Sequence, residues 1–262
     1  MTNTCSVAVA YLARGVNSDY IERFQQFAQS YRAHSAGMEH TLYVIFKGFS
    51  DESTRTSAEM TFDGLSFKAI DTDDTSFDLG AYADALHTIT EEVVCFLNTN
   101  TEIASPNWVR KLVSNLCQPG VGMVGATGSY ESLSHINRLF PAFPNPHLRS
   151  NAFALRRIHA SEILGSYNFK DKLDAFFAES GPNGLTRRML QMGLTCLIVG
   201  ADGRGYTPQQ WTESDSFRQG DQANLLIRDN QTRAYMEAGP VERMFMAVRT
   251  WGAAYAPRVV EV

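Results

Sequence analysis

The chain has 262 residues, of which 44% are hydrophobic and 19% are charged, and its net charge is −5 at pH 7. This length suffices for one large α/β domain, and the composition is that of an ordinary globular protein. The negative charge gives no general attraction to nucleic acid, so no nucleic-acid partner is expected. No apolar run approaches the roughly 20 residues of a membrane span. Residues 1–15 begin directly as a strand, without the basic start of a signal peptide.

The four cysteines are far apart in the sequence, and three of them have apolar neighbours: Cys5, Cys95, Cys117 and Cys196. Such spacing fits neither a disulfide framework nor a zinc site. They are predicted to be small buried hydrophobic residues in a reducing compartment, which favours a cytoplasmic location.

The first 130 residues alternate between strands and helices with short connections. The predicted strands are 6–12, 41–46, 67–70, 93–97 and 121–126, and the predicted helices are 19–34, 81–90 and 107–116. Strands with continuous apolar runs, such as 93–97, suit a parallel sheet that is covered on both faces. The alternation predicts an α/β fold with a mostly parallel, doubly wound sheet and helices on both faces.

The second half of the chain is less regular. Strands are predicted at 151–155 and 195–199, helices at 161–164, 170–177, 185–192 and 240–251, and a glycine-rich turn at 200–205. The last helix carries Val241, Met244, Phe245, Val248 and Trp251 on one apolar side. That side could dock on the sheet, pair with a second subunit or touch a membrane, so a homo-oligomer and a peripheral membrane contact both stay open.

Several common functional motifs are absent from the sequence. It contains no GxGxxG after the first strand and no GxxxxGK[ST], which argues against a dinucleotide-binding Rossmann domain and a P-loop NTPase. It contains no HExxH, no paired CxxC and no GxSxG, which argues against zinc proteases, zinc ribbons and α/β hydrolases.

Polar residues follow the predicted strands. Lys47, Asp71, Asp78 and the cluster at 98–102 all come after apolar strands. Because ligands of open α/β sheets bind outside the carboxyl ends of the strands, these residues could together cradle a nucleotide. Each of them alone would also suit a solvated loop, since loops are polar in general.

Seven segments carry a resemblance to a known family: SVAVAYLARG, IERFQQFAQSY, FDLGAYADAL, VVCFLNTNTEI, PNWVRKLVSNL, HLRSNAFALRR and AESGPNGLTRRMLQMG. In their order and spacing the chain resembles the GT-A-fold glycosyltransferases of the broad family-2-like group, over most of residues 5–200. The resemblance implies a single GT-A-like domain over residues 1–262. It would comprise a nucleotide-sugar-binding half at 1–130, an acceptor-side half at 131–215 and a C-terminal helical extension at 216–262.

The metal-binding motif of that family is replaced in this chain. Where the family has Asp-x-Asp after the fourth strand, this chain has Asn98, Thr99 and Asn100, with Glu102 beyond. Neutral amides are poorer ligands than carboxylates for a hard cation. Weak or absent metal dependence is therefore expected, and Mn or Mg would bind only if Glu102 takes part.

The resemblance also implies a set of donor-binding residues. Its nucleobase contacts would fall near Ala13 and Arg14 and at Asp71 or Asp78, and further donor contacts at Asn98, Asn100 and Glu102. His147, Arg149 and Asn151 could line the donor sugar, and the alternative is a structural crossing strand with Arg149 in a surface ion pair. Without a metal, the diphosphate would need cationic partners, since arginine can bind phosphate through two hydrogen bonds. The candidates are Lys47, His147, Arg149, Arg187 and Arg188.

Glu179 is the candidate catalytic base. Inverting members of the family use an Asp or Glu just before an acceptor-side helix, and Glu179 precedes the predicted helix at 185–192. A carboxylate there could deprotonate an acceptor hydroxyl. The alternative is an exposed loop acid or a helix cap.

The resemblance thus implies a cytoplasmic, hexosyltransferase-like enzyme that moves a sugar from a nucleotide-diphosphate donor to a saccharide or lipid-linked acceptor. The biological setting that it implies is bacterial surface polysaccharide assembly. A nucleotidyltransferase that forms sugar nucleotides is a competitor, although it would need a Gly-rich basic loop after the first strand and only Arg14-Gly15 stands there. A non-catalytic relative that binds a nucleotide or a glycan is the other alternative.

Overall fold

A mixed sheet of eight strands forms the centre of the protein. The structure is a computed structural model that describes residues 5–74 and 77–255. The strands of this sheet are β1 (Val7–Arg14), β2 (Thr41–Lys47), β3 (Lys68–Thr72), β4 (Val93–Leu97), β6 (Val121–Gly125), β9 (Ala152–Arg156), β10 (Thr195–Val199) and β11 (Gly205–Tyr206). Short strands form two small ribbons beside it: β5 (Glu102–Ile103) pairs with β12 (Ile227–Arg228), and β7 (Gly128–Ser129) with β8 (His147–Leu148).

Helices cover both faces of the sheet. In chain order they are α1 (Tyr20–Ala33), α2 (Glu52–Met60), α3 (Asp78–Ala85), α4 (Trp108–Leu116), α5 (Arg157–Leu164), α6 (Lys172–Ser180), α7 (Leu185–Gln191), α8 (Asn230–Glu237) and α9 (Pro240–Trp251). One apolar core lies between the sheet and α1, α2 and α4, and the other lies between the sheet and α3, α5, α6 and α7. The predicted two-faced α/β architecture is therefore confirmed.

The strand order is β11-β10-β6-β9-β4-β1-β2-β3. The neighbours β3, β2, β1 and β4 run parallel, and so do β6 and β10. Strand β9 lies antiparallel between β4 and β6, and β11 is an antiparallel edge strand. The carboxyl ends of β1 to β4 consequently meet at one edge of the sheet.

The structure corrects several predicted element bounds. Helix α3 covers Asp78–Ala85 instead of 81–90, since Phe77 is extended and the helical turns end at Leu86. Helices α2 and α8 were not predicted because they are mostly polar, each burying at most two side chains. Both begin at an aspartate, Asp51 or Asp229, whose side chain accepts a backbone hydrogen bond.

The apolar side predicted for the last helix lies only partly in the core. Trp251 is buried in α9, but Val241 and Phe245 are each 65% exposed. The prediction for the cysteines holds for two of them: Cys95 and Cys196 are buried, and burial raises the pKa of each thiol to about 12. Within the described ranges, no helix is both long and apolar enough to cross a membrane.

Candidate active site

Hydrogen bonds connect the residues that follow β4 to the end of β1. The Thr99 hydroxyl donates to the Leu12 carbonyl (2.9 Å) and accepts the backbone N–H of Arg14 (3.4 Å). The Tyr11 hydroxyl donates to the Thr99 carbonyl (2.9 Å), and its ring stacks on Phe27 at 3.7 Å between centroids. These contacts fix the strand ends from which the polar residues of the site project.

Of the predicted amide pair after β4, Asn98 forms hydrogen bonds within its own loop. The Asn98 side-chain oxygen accepts the backbone N–H of Asn100 (3.1 Å) and the hydroxyl of Thr101 (3.3 Å). Its backbone N–H donates to the Asn151 carbonyl (2.9 Å). The Asn100 side-chain oxygen is buried and has no hydrogen-bond partner within residues 5–74 and 77–255. Asn98 thus shapes a turn.

Two basic residues at adjacent strand ends share one carboxylate. The Lys47 ammonium is fully buried and lies 3.5 Å from the Asp74 carboxylate, and it donates to the Asp73 carbonyl (2.9 Å). The Arg14 guanidinium lies 3.3 Å from the same Asp74 carboxylate. Burial lowers the pKa of Lys47, and Asp74 opposes that shift. Ala13, another predicted contact, is fully buried in the core.

Arg14 lies in a cavity of about 260 Å³ at this edge, which we call the Arg14 chamber. Its wall is formed by Arg14, Phe77, Asp78, Leu79, Ser150, Lys172, Ala175, Phe176 and Glu179. Burial raises the pKa of Asp78, and the nearby Arg14 and Lys47 cations partly offset that rise. The chamber wall therefore combines two cationic side chains, Arg14 and Lys172, with the carboxylates of Asp78 and Glu179.

Glu179 lies in the last turn of α6 and points at the loop before β9. Its carboxylate accepts the backbone N–H of Ser150 (2.7 Å) and also the Ser150 hydroxyl. These two hydrogen bonds fix the direction of the carboxylate. Glu179 is thus a positioned carboxylate, which is what a general base requires.

A second cavity of about 250 Å³ lies on the other side of Glu179, and we call it the Arg218 chamber. Its wall is formed by Ser129, Glu131, Leu133, His147, Arg149, Phe176, Glu179, Ser180, Phe217, Arg218 and Gln231. Phe176 and Glu179 line both chambers. The two spaces are therefore neighbours, with the Glu179 carboxylate at their boundary.

A third, more open cavity of about 550 Å³ lies beyond Asp74, and we call it the Asp71 groove. It is lined by Asp71 and by residues of β2 and α2, including Phe46 and Arg55. Arg55 stacks on the Phe46 ring, 3.3 Å from the centroid, and pairs with Asp71 at 2.6 Å. Along the edge of the sheet, the three spaces follow the strand order from β3 towards β6.

His147 is buried in the wall of the Arg218 chamber. Its Nδ1 lies 2.8 Å from the Asn145 carbonyl, so Nδ1 carries the proton and Nε2 is the acceptor. Burial lowers its pKa, with Glu179 opposing the shift. Because burial lowers its pKa, His147 is a weaker source of positive charge than the prediction assumed.

The predicted arginines do not gather around one phosphate site. Arg149 lines the Arg218 chamber but forms an ion pair with the buried Asp229 at 3.0 Å. Arg187 donates to the Asn145 side chain (3.2 Å), and Arg188 pairs with Glu162 on α5 at 3.0 Å. Neither Arg187 nor Arg188 lines the chambers.

Two further predicted residues are engaged elsewhere. Glu102 pairs with Arg228 at 3.4 Å and Arg233 at 3.2 Å, and it accepts a hydrogen bond from Gln26 (2.9 Å). Asn151 is buried and accepts the hydroxyl of Thr127 (2.7 Å). Glu102 thus connects β5 to the C-terminal part of the chain instead of projecting beside Asn98.

Asn98 and Glu102, two of the residues at the position of the replaced motif, are not available to a hard divalent cation. The Asn98 oxygen is occupied by its own turn, and Glu102 is neutralised by two arginines. Across the part of the chain that the structure describes, no three His, Cys, Asp or Glu side chains are grouped as metal ligands. Such a cation prefers several carboxylate or carbonyl oxygens within reach of one point.

Sequence patterns did not reveal several residues that line the chambers. Lys172, Phe176, Phe217, Arg218 and Gln231 come from α6, from the loop before β12 and from α8. One local signal was Asp171, whose side chain caps α6 and so marks the start of the helix that carries Lys172 and Phe176. Their meeting depends on long-range packing, which no short motif encodes.

Comparison with solved structures relates this fold to sugar-transferring enzymes. The mannosyltransferase PcManGT of Pyrobaculum calidifontis, in complex with GDP-Man and Mn²⁺, is similar over 74% of this chain and 55% of its own, with a TM-score of 0.50 and 16% identity. This chain therefore spans about half the length of that enzyme. At this identity the similarity shows the fold, which is that of the GT-A glycosyltransferases, as the sequence resemblance predicted.

Two further structures have lower similarity. Mouse xyloside xylosyltransferase 1 matches with a TM-score of 0.43 and 14% identity, covering 71% of this chain and 82% of its own. Glucosyl-3-phosphoglycerate synthase of Mycobacterium tuberculosis, with Mn²⁺, UDP and phosphoglyceric acid, matches with a TM-score of 0.40 and 15% identity, covering 60% and 57%. No family model and no curated protein sequence matches the chain.

Proposed function

We propose that this protein is a glycosyltransferase that moves a sugar from a nucleoside-diphosphate donor to an acceptor hydroxyl. The observation that carries the proposal is the sharing of Glu179 by two adjacent chambers at the carboxyl edge of a GT-A-type sheet. A base at the boundary between two substrates can take the proton of one while that substrate attacks the other. The similarity of the fold to that of sugar-transferring enzymes supports the proposal by analogy.

The donor is assigned to the Asp71 groove and the Arg14 chamber. The nucleoside would occupy the groove, and the diphosphate would lie beside Arg14 and Lys172, which line the chamber. Charge-assisted hydrogen bonds from these two side chains would neutralise the leaving diphosphate. This assignment replaces the predicted contributions of Arg187, Arg188 and Glu102.

The acceptor is assigned to the Arg218 chamber. There Glu179 would take the proton of the acceptor hydroxyl while the oxygen forms a bond to the anomeric carbon and the bond to the diphosphate breaks. Attack from the face opposite the leaving group inverts the configuration. No step requires a divalent cation. Weak metal dependence is expected because Asn98 and Glu102 would be poor ligands for such a cation. Hexosyl specificity, a cytoplasmic location and a role in bacterial surface polysaccharide stay predictions from the resemblance.

Titration with nucleotide sugars tests the donor assignment. UDP-, GDP-, CMP- and dTDP-sugars are added to the full chain with Mn²⁺ or with EDTA, and binding is measured by calorimetry. One donor is expected to bind under both conditions, and Arg14→Ala should weaken it about tenfold through loss of a charged hydrogen bond. Arg110→Ala, which changes an exposed arginine on α4, is the matched control. Equal affinities of the Arg14→Ala variant and the wild type would show that the diphosphate does not bind in the Arg14 chamber. Binding without sugar release would favour a non-catalytic relative.

A further inference from the structure

We infer that the Arg218 chamber takes an acceptor that carries an anionic group, a carboxylate or a phosphate, bound by the Arg218 guanidinium. The inference rests on the proposed function, because it assigns the chemical class of the acceptor at the same site. It follows from the way the charges around the chamber are paired.

Two charged side chains of the chamber wall have a close partner of opposite sign. Arg149 pairs with the buried Asp229 at 3.0 Å, and Glu131 pairs with Arg249 at 2.5 Å. The carboxylate nearest to Arg218 is Glu131, at 3.8 Å, and Arg249 already neutralises it. Arg218 is therefore the cation of the chamber wall whose charge is least compensated.

The hydrogen bonds of Arg218 go to neutral groups. Its guanidinium donates to the Thr250 hydroxyl (3.1 Å) and to the Gln231 side-chain oxygen (2.9 Å). Its Nε is buried and lacks a hydrogen-bond partner among the described residues, and the residue is only 9% exposed. Burial, followed by the nearby Arg149, lowers its pKa. An anion bound there would restore the stabilisation that this guanidinium lost on leaving water.

The backbone holds Arg218 in this position at a cost. Its φ is 54°, and Asp215 and Gln222 nearby have φ values of 47° and 52°. Left-handed conformations of non-glycine residues are unfavourable and persist only where the surroundings impose them. Here the Gln222 side chain accepts the Arg218 N–H (2.9 Å), and the Trp251 indole donates to the Phe217 carbonyl (2.8 Å). The loop is built around a strained arginine that faces a cavity.

The rest of the chamber suits a sugar ring between two charged ends. Glu179 lies in the wall that adjoins the Arg14 chamber, where an acceptor hydroxyl would react. Phe176 and Phe217 supply apolar surface. The Phe217 ring packs against both Arg149 and Arg218, with the guanidinium carbons 4.0 and 4.7 Å from its centroid. A ligand with a hydroxyl at one end and an anionic group at the other matches this arrangement.

Binding of small acceptor probes tests the inference without any donor. Glucuronic acid, glucose 6-phosphate and the neutral methyl glucoside are titrated into the full chain, and dissociation constants are measured by NMR chemical-shift changes. At least one acidic probe should bind about tenfold more tightly than the neutral sugar, the size expected from one charged hydrogen bond. Comparison of the two acids identifies carboxylate or phosphate as the anionic group. Equal binding of all three probes, or binding of none, overturns the inference.

Variants at position 218 complete the test. Arg218→Gln should abolish the preference for the acidic probe, and Arg218→Lys, which keeps the charge, should retain part of it. Arg204→Gln is the matched control, since Arg204 is exposed and packs on Tyr206 outside both chambers. An unchanged preference in Arg218→Gln overturns the inference, and if that variant fails to fold, the wild-type and Arg218→Lys data decide. A wild-type protein that binds a nucleotide sugar but no acidic probe would contradict this inference alone. A wild-type protein that binds an acidic probe but no nucleotide sugar would contradict the proposed function alone.

Discussion

At the scale of single residues, Glu179 is the group with the clearest chemical assignment. Its carboxylate is fixed by Ser150 at the boundary between two chambers. Changing Glu179 to Gln keeps the size of the side chain and removes its basicity. Sugar transfer should then fall by a factor of at least about 100, the usual contribution of a general base, while donor affinity changes less than about twofold.

Glu162→Gln is the matched control for that experiment, because Glu162 is exposed on α5 and pairs with Arg188 away from the chambers. Transfer rates come from steady-state kinetics, and donor affinities from calorimetry. A Glu179→Gln variant that retained most of its transfer rate would show that another group removes the proton.

His147 predicts a pH dependence of stability. Burial lowers its pKa below the ordinary value of 6.5, so the unfolded chain binds this proton more readily than the folded protein. The stability contributed by the neutral ring is complete above about pH 6.5 and is lost as the pH falls below that value. Urea unfolding of the wild type and of His147→Gln at several pH values between 5 and 8 measures this difference. The variant should lose less stability on acidification, and identical pH profiles would contradict the prediction.

At the scale of elements, α8 ties the C-terminal part of the chain to the site. Asp229 caps α8 through the Thr232 N–H (2.8 Å), and its fully buried carboxylate also pairs with Arg149. Asp229→Ala should lower the free energy of unfolding by about 3 kcal/mol or more, because it leaves a largely buried arginine without its carboxylate. Urea denaturation measures the loss.

Asp171→Ala is the control for this prediction. Asp171 caps α6 through a similar capping box, but it is exposed and forms no ion pair in the described structure, so its loss should cost about 1 kcal/mol. Equal losses in the two variants would mean that the Asp229–Arg149 pair adds nothing beyond helix capping.

The elements also show why sequence reasoning succeeded for the fold and only partly for the site. The strands β1, β2 and β4 were predicted because their apolar runs are fully buried, which leaves a strong local pattern. Helix α8 was not predicted because its residues are mostly polar, so that it lacks an apolar pattern. Glu179 and Arg14 were found through the resemblance, whereas Lys172 and Arg218 join the site through contacts between elements far apart in sequence. The ion pairs of Glu102 were not predicted, because its partners Arg228 and Arg233 lie more than 120 residues away in the sequence.

At the scale of the whole molecule, three cavities follow one another along the carboxyl edge of the sheet. The Asp71 groove, the Arg14 chamber and the Arg218 chamber occupy the order that a nucleoside, a diphospho-sugar and an acceptor would require. The parallel strands β3, β2, β1 and β4 create the first part of this row. Residues of β7, β8 and α6 close the last part together with Phe217, Arg218 and Gln231, so residues after position 216 line the Arg218 chamber.

Turnover of a nucleotide sugar in the presence of EDTA tests this account most directly. The full chain is incubated with the donor that binds best, with glucuronic acid or glucose 6-phosphate as acceptor, and the released nucleoside diphosphate and the glycosylated product are quantified. The account predicts transfer that depends on Glu179 and changes less than about twofold when Mn²⁺ replaces EDTA. A folded protein that binds no nucleotide sugar, or one whose transfer stops in EDTA and returns with Mn²⁺, would contradict it.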